Sequence, residues 1–193
     1  MKLLLNLNQS IRQIANFRLL LLLTVLLFGL GLLVVSPFSP SAELMALADG
    51  RDVPDTQFNR SAEDLYRQLS AYGDYGRHLY LTRISPVDLF IPLAQALFLA
   101  VAISLVFQRA FSPASRWQMI NLLPFVAMLG DYLENVSMIC LMLGYPTRWE
   151  LLANVSGWFT AVKFIFSIAS VGCIAAGSVI WLMKRGLIRQ VKI

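Results

Sequence analysis

Charge is scarce in this sequence. Lysine, arginine, aspartate and glutamate make up 14% of its 193 residues, against about 25% in an ordinary soluble domain. The shortfall excludes a disordered chain and an ordinary soluble enzyme. With 58% hydrophobic residues and a mean hydropathy of +0.66, it excludes a nucleic-acid module too. Histidine occurs once, as His78, too few for a haem pair or a metal site. Cysteine occurs twice, as Cys140 and Cys173, with no CxxC. On a helical rise of about 1.5 Å per residue the two differ in depth by roughly 25–30 Å, beyond disulfide reach. Four-helix disulfide-forming enzymes and quinone-linked thiol oxidases are thereby disfavoured. A glycine-rich phosphate loop, HExxH and GxSxG are missing as well, so nucleotide hydrolysis, zinc proteolysis and standard serine hydrolysis lack support. No metal and no other cofactor is expected, and no internal repeat is visible.

What the chain has is long apolar runs. Four are long enough to cross a bilayer, which takes about 20 helical residues; they lie near 19–36, 86–108, 119–143 and 151–183. The first is too long for a signal-peptide core, and Pro40-Ser41-Ala42 is a poor cleavage site, so it reads as a retained helix. Residues 1–18 carry Leu3, Leu7, Ile11 and Ile14 on one helical face, with Lys2, Arg12 and Gln13 elsewhere. Such an amphipathic segment is expected along the membrane surface. The fold class is all-α: an antiparallel four-helix transmembrane bundle, with a membrane domain over 19–183 and a basic tail over 184–193.

Orientation follows from the basic residues. Lys2, Arg12 and Arg18, then Arg109 and Arg116, then Lys184, Arg185, Arg189 and Lys192 fall on one side with no acid among them. The other side mixes Arg51, Arg60, Arg67, Arg77, Arg83 and Arg148 with Glu43, Asp49, Asp52, Asp55, Glu63, Asp64, Asp74 and Glu150. Both termini are therefore expected in the cytoplasm and the 37–85 loop outside. Within that loop, 37–60 is rich in Pro, Ser, Asp and Gly and reads as irregular. Ser61 with Asp64 marks a helix start, after which Leu65, Leu69 and Tyr72 recur at helical spacing. Gly73 and Gly76 are expected to break this helix, and a second short one over 77–84 to lead into the second span. The loop is too small for its own core, so its apolar faces must rest on the bundle or membrane like a lid. Asn59-Arg60-Ser61 is a formal glycosylation sequon.

Four charges remain in the spans: Asp88, Asp131, Glu134 and Lys163. Each costs at least about 2.5–3.5 kcal/mol to insert, so each must be paired or used. Asp131, Glu134, Asn135 and Met138 share one face of the third span. Counting inward puts Glu134 at about 13 Å depth, and Asp131 and Lys163 both at about 18 Å. On the fourth span Ser156, Thr160, Lys163, Ser167 and Ser170 form a polar stripe, so the two polar faces are expected to meet. Asp88 and Gln95 share a face of the second span. Pro92 has no N–H, which frees the Asp88 carbonyl as an acceptor. Arg83, His78 and Arg77 lie just above. The expectation is a polar pocket open to the outer leaflet, with a basic rim and an acidic floor. Two carboxylates beside one lysine leave a surplus, which favours a proton on one of them. In an enzyme the catalytic groups would be Glu134, Asp131 and Lys163. Asn135, Asp88, Gln95, Thr160, Arg83 and His78 are the candidate binding residues. The small residues Ala169, Cys173 and Gly177, with Gly172 and Ala176 beside them, read as a close-packing series.

At Gly130-Asp131-Tyr132-Leu133-Glu134-Asn135 the chain resembles a group of uncharacterised bacterial four-helix integral membrane proteins with an Asp-x-x-Glu-Asn element in the third span. Gly76-Arg77-His78-Leu79-Tyr80 and Asp88-Leu89-Phe90-Ile91-Pro92 match two further stretches of that group. The resemblance covers about residues 61–183. It implies four helices in a bacterial cytoplasmic membrane and groups these positions, but brings no activity. In outline the chain is also similar to small multidrug transporters, which carry their carboxylate in the first span; here that span has no ionisable group. Three functions stay open: a lipid- or partner-binding accessory subunit, an intramembrane enzyme for a lipophilic lipid or isoprenoid substrate, and a proton-coupled carrier. The expected partners are membrane lipids, a lipophilic small molecule, and a partner membrane subunit or second copy; nucleic acid is not among them.

Overall fold

The computed structural model describes residues 2–51, 53–57 and 60–190. Asp52, Asn59 of the sequon and Lys192 of the tail lie outside the described residues. Seven α-helices follow in order: α1 (Lys2–Ile14), α2 (Phe17–Val35), α3 (Pro40–Leu47), α4 (Ala62–Leu79), α5 (Ile91–Ala110), α6 (Leu123–Gly144) and α7 (Glu150–Gln190). Short 3-10 turns stand at Pro54–Thr56, Val87–Leu89 and Arg116–Leu122, and a π turn at Tyr80–Ile84. Among the described residues there is no strand. Four helical stretches among them are long and apolar enough to cross a membrane: Phe17–Leu47, Val87–Ala110, Arg116–Gly144 and Glu150–Gly186.

The starts of these helices have local causes. Asn16 caps α2, its side chain accepting from the Leu19 N–H at 2.9 Å. Ser39 caps α3 in the same way and Pro40 opens its first turn. Residues 37–60 are therefore not irregular throughout, as their composition suggests; α3 occupies 40–47. Asp49 and Gly50, both at positive φ, turn the chain away after it. Ser61 caps α4, accepting from the Asp64 N–H at 3.1 Å and donating to the Asp64 carboxylate at 2.6 Å. Gly73, at φ 59° and ψ −171°, kinks α4, a conformation that favours glycine. Gly76 does not break the helix. It lies inside α4, where an added Cβ would meet Tyr72 Cβ at 2.8 Å and Leu44 Cδ2 at 3.2 Å, so it is the point where α3 and α4 touch.

The packing has two centres. α6 packs most extensively on α7, and α5 touches α2, α6 and α7. Gly130 sets the first contact, since a Cβ there would meet Val162 Cγ1 at 3.1 Å and Lys163 N at 3.2 Å. Gly177 sets another, against Phe107 and Val106 of α5. Of the expected small-residue series only Gly177 makes such an approach; Gly172 has open space around it and Ala169 and Ala176 are exposed. The second centre joins the 37–85 segment to the long helices. Leu44, Leu65, Leu69, Tyr72, Tyr80 and Ile84 share one apolar cluster with Met138, Leu141, Met142 and Ala153. Each fully buried leucine contributes about 1.5–3 kcal/mol relative to exposure in water.

α1 docks on α5 and the Arg116–Leu122 turn. Ile11 and Asn8 are its buried residues, and Gln108 Nε2 donates to the Arg12 carbonyl at 3.1 Å. Leu3, Leu7 and Ile14, which share its apolar face, stay exposed. So do Val25, Phe28 and Val35 on α2. At the far end of α7, Lys184 Nζ donates to the Ala110 carbonyl at 2.6 Å and closes the C-terminus of α5.

Because Gly130 has no room for a side chain, Gly130→Val must push α6 off α7. The expected result is a loss of about 1–3 kcal/mol, read as a lower melting temperature in detergent, whereas Gly172→Val leaves it unchanged. Equal melting temperatures for the two variants would contradict the contact.

Candidate functional site

The site is built from the polar faces of α6 and α7 and from a stretch of chain that enters between them. Glu134 on α6 is wholly buried. Thr160 of α7 donates its hydroxyl to Glu134 Oε1 at 2.5 Å, and Lys163, one turn further, brings Nζ to Oε2 at 2.8 Å. Asp131 is the weaker partner of the same ammonium, at 3.6 Å. The expected meeting of the two stripes is present, but its centre is Glu134, not the Asp131–Lys163 pair.

The second cation comes from the loop. Arg60 sits directly before the N-cap of α4, and its side chain is 1% exposed. Its Nη1 lies 3.2 Å from Glu134 Oε1 and also donates to the Pro54 carbonyl; its Nη2 donates to Ser156 Oγ at 2.9 Å and to Met138 Sδ at 3.3 Å. Arg60 was expected among the outer aqueous charges. It is instead in the interior, because α4 packs on α7: Asn154 accepts from the Ala62 N–H at 3.1 Å, and the bare face of Gly157 lets the Arg60 backbone approach. Lys163 in turn donates to the Asp55 carbonyl at 2.9 Å. Backbone from the Pro54–Thr56 turn is thus held by both cations.

This changes the charge balance. Arg60 and Lys163 match Glu134 and Asp131 as a neutral set of four, so the expected surplus proton is not required there. The unmatched acids are Asp55 and Asp88: Asp55 Oδ1 and Asp88 Oδ2 are buried, with no hydrogen-bond partner among the described residues. Tyr80 registers the same imbalance from outside the spans. Burial pushes its phenol well above the ordinary value, and the negative charges of Asp55, Asp88 and Glu134 push it the same way.

The remaining expected site residues scatter around this core. Asn135 Nδ2 donates to the Asp88 carbonyl at 3.1 Å, the acceptor that Pro92 leaves free, so Asn135 joins α6 to the approach of α5. Gln95 donates to Ser167 Oγ at 3.2 Å, tying α5 to α7. Gln95, Asp131, Lys163 and Ser167 line a cavity of only about 10 Å³, room for one water. Arg83 and His78 are exposed and do not join the buried set. Arg83 instead lines a separate crevice with Asp88. Among the described residues no group of acids, cysteines and histidine could hold a metal ion. Cys140 and Cys173 are both free.

The corner between α6 and α7 holds α4 in place. Tyr66 accepts from the Trp149 N–H at 2.6 Å, and Arg148 pairs with Glu63 at 2.7 Å. The Arg148 guanidinium, by hydrogen bond and charge, holds the Glu63 carboxyl below its usual range.

The arrangement can fix charges in the interior, but it offers no open face at Glu134 for a reacting molecule. Removing one member strands the others. Arg60→Met is expected to cost about 3–5 kcal/mol in unfolding measured in detergent, while Arg51→Met, at an exposed position, stays within about 0.5 kcal/mol. Similar small losses for both would contradict the buried placement of Arg60.

Compared with known proteins, the chain matches no protein-family model, and no curated protein and no solved structure is significantly similar to it.

Proposed function

We propose that this chain is an integral protein of the bacterial cytoplasmic membrane and acts as a lipid- or partner-binding accessory subunit rather than an enzyme. In this reading the four spans alternate in direction, both termini face the cytoplasm, and segment 37–85 is a helical lid on the outer side. The buried charges lock that lid to the bundle. The basic residues at the two cytoplasmic ends and in the 109–116 connection support the orientation.

One observation carries the reading: Glu134, the acid best placed for catalysis, is completely enclosed by Arg60, Thr160 and Lys163. A general acid or base must come within hydrogen-bond reach of its substrate, and here both carboxylate oxygens are already engaged. A proton-coupled carrier needs a polar path past Lys163. Ser167, the next stripe residue, accepts from Gln95 at 3.2 Å, and Ser170 beyond it turns its hydroxyl to the Phe166 carbonyl of its own helix. The exposed apolar faces of α2 and α7 are the surfaces available to lipid, to a partner subunit or to a second copy.

The test is labelling with a hydrophobic carbodiimide, which modifies protonated carboxyl groups reachable from the bilayer. Intact protein in membranes is treated and mapped by mass spectrometry. Glu134 is expected to remain unmodified until the fold is opened by denaturant. Modification of Glu134 in the folded protein would favour an intramembrane enzyme or carrier and contradict the lock.

A further inference from the structure

The crevice between the outer end of α2 and the entry to α5 combines size, charge and an apolar wall. Its volume is about 290 Å³, and Leu33, Val34, Pro40, Arg83, Ile84 and Asp88 are among its lining residues. That is near the lower end of small-molecule sites, about 300–1,000 Å³. It suits a headgroup rather than a whole amphiphile.

Its two charged groups differ in sign and setting. Asp88 Oδ2 is buried and has no hydrogen-bond partner among the described residues. Asp55, Asp131 and Glu134 bring like charge towards it and Lys163 brings opposite charge. Lys163 is already committed to Glu134 and Asp131. A partly buried carboxylate in that setting calls for a cation with N–H donors. Arg83 stands at the exposed rim, with no ion pair among the described residues, and presents a guanidinium suited to phosphate. The apolar wall, Leu33 and Val34, continues along α2 into Leu32 and Val35, which are 54% and 77% exposed.

From this juxtaposition we infer that the crevice binds one zwitterionic aminophospholipid, its primary ammonium on Asp88, its phosphate on Arg83 and an acyl chain along α2. The inference rests on the membrane-embedded, lipid-binding reading above and names the lipid class. An anionic lipid without an amine leaves Asp88 unmatched and sets its phosphate near a carboxylate. A choline headgroup carries the charge but no N–H to donate. The ammonium therefore supplies the discrimination, and the phosphate supplies attachment common to all three classes.

The experiment is native mass spectrometry of the full chain released from nanodiscs of equal parts phosphatidylethanolamine, phosphatidylcholine and phosphatidylglycerol. Wild type is expected to retain one phosphatidylethanolamine at least about tenfold above either competitor, the ratio that one charge-assisted hydrogen bond supports. Asp88→Asn is expected to abolish that preference. Arg83→Gln is expected to weaken retention of all three lipids together. Leu33→Trp fills the crevice from an exposed position and is expected to remove the bound lipid, which keeps the test decisive should the Asp88 variant misfold. Equal retention of the three lipids by wild type, or a preference that survives both Asp88→Asn and Leu33→Trp, overturns the site. Failure here with Glu134 still closed to carbodiimide removes the lipid site alone; an open Glu134 removes the lock instead.

Discussion

A carboxylate sits between two long apolar helices and a loop, and its neutralisation governs much of what surrounds it. Glu134 is fully buried, so the protein must supply opposite charge and hydrogen bonds at close range or lose several kcal/mol. α7 supplies Thr160 and Lys163 from one stripe. The other cation, Arg60, has to come from outside the helices, and bringing it in carries a length of backbone with it. The carbonyls of Pro54 and Asp55 then become acceptors for the two cations. The polar interior is therefore a joint between the long helices and the loop.

That joint explains the form of the 37–85 segment. A stretch of this size has too little apolar area for its own core. It is stable here because Leu65, Leu69 and Tyr72 complete a cluster with Met138 and Leu141, while Arg60 fixes the start of α4 against Ser156. Leu44 of α3 closes the same cluster from the other side, next to Gly76. Tyr66, Arg148 and Glu63 secure the far edge at the α6–α7 corner. Apolar burial and ion pairing act on the same segment, so loosening either should loosen both.

Much of this was legible in the sequence. The apolar runs located the long helices because a stretch of about 20 apolar residues has few other stable arrangements. The Ser61–Asp64 start, the helical recurrence of Leu65, Leu69 and Tyr72, and the free carbonyl left by Pro92 were local signals, and local chemistry decided them. Two of the features that escaped have clear physical reasons. Helix α3 was hidden by a Pro- and Ser-rich composition, although Ser39, Pro40 and Glu43 together form a cap, a first-turn proline and an acidic first turn. Arg60 was assigned to water by its neighbours in the chain, whereas its position is set by contacts across the fold with Glu134 and Ser156. The only sequence-level hint was the imbalance itself: three acids and one lysine in the spans required another cation. Nothing in spacing or periodicity says which loop residue will supply it.

The central claim is that Arg60 and Glu134 are one energetic unit across a loop and a span. A double-mutant cycle on unfolding in detergent measures this directly, using Arg60→Met, Glu134→Leu and the pair. Contact between the two groups predicts a coupling of about 0.5–3 kcal/mol, with the double variant more stable than the sum of the single losses implies. Losses that add to within about 0.3–0.5 kcal/mol would show independent sites and contradict the account.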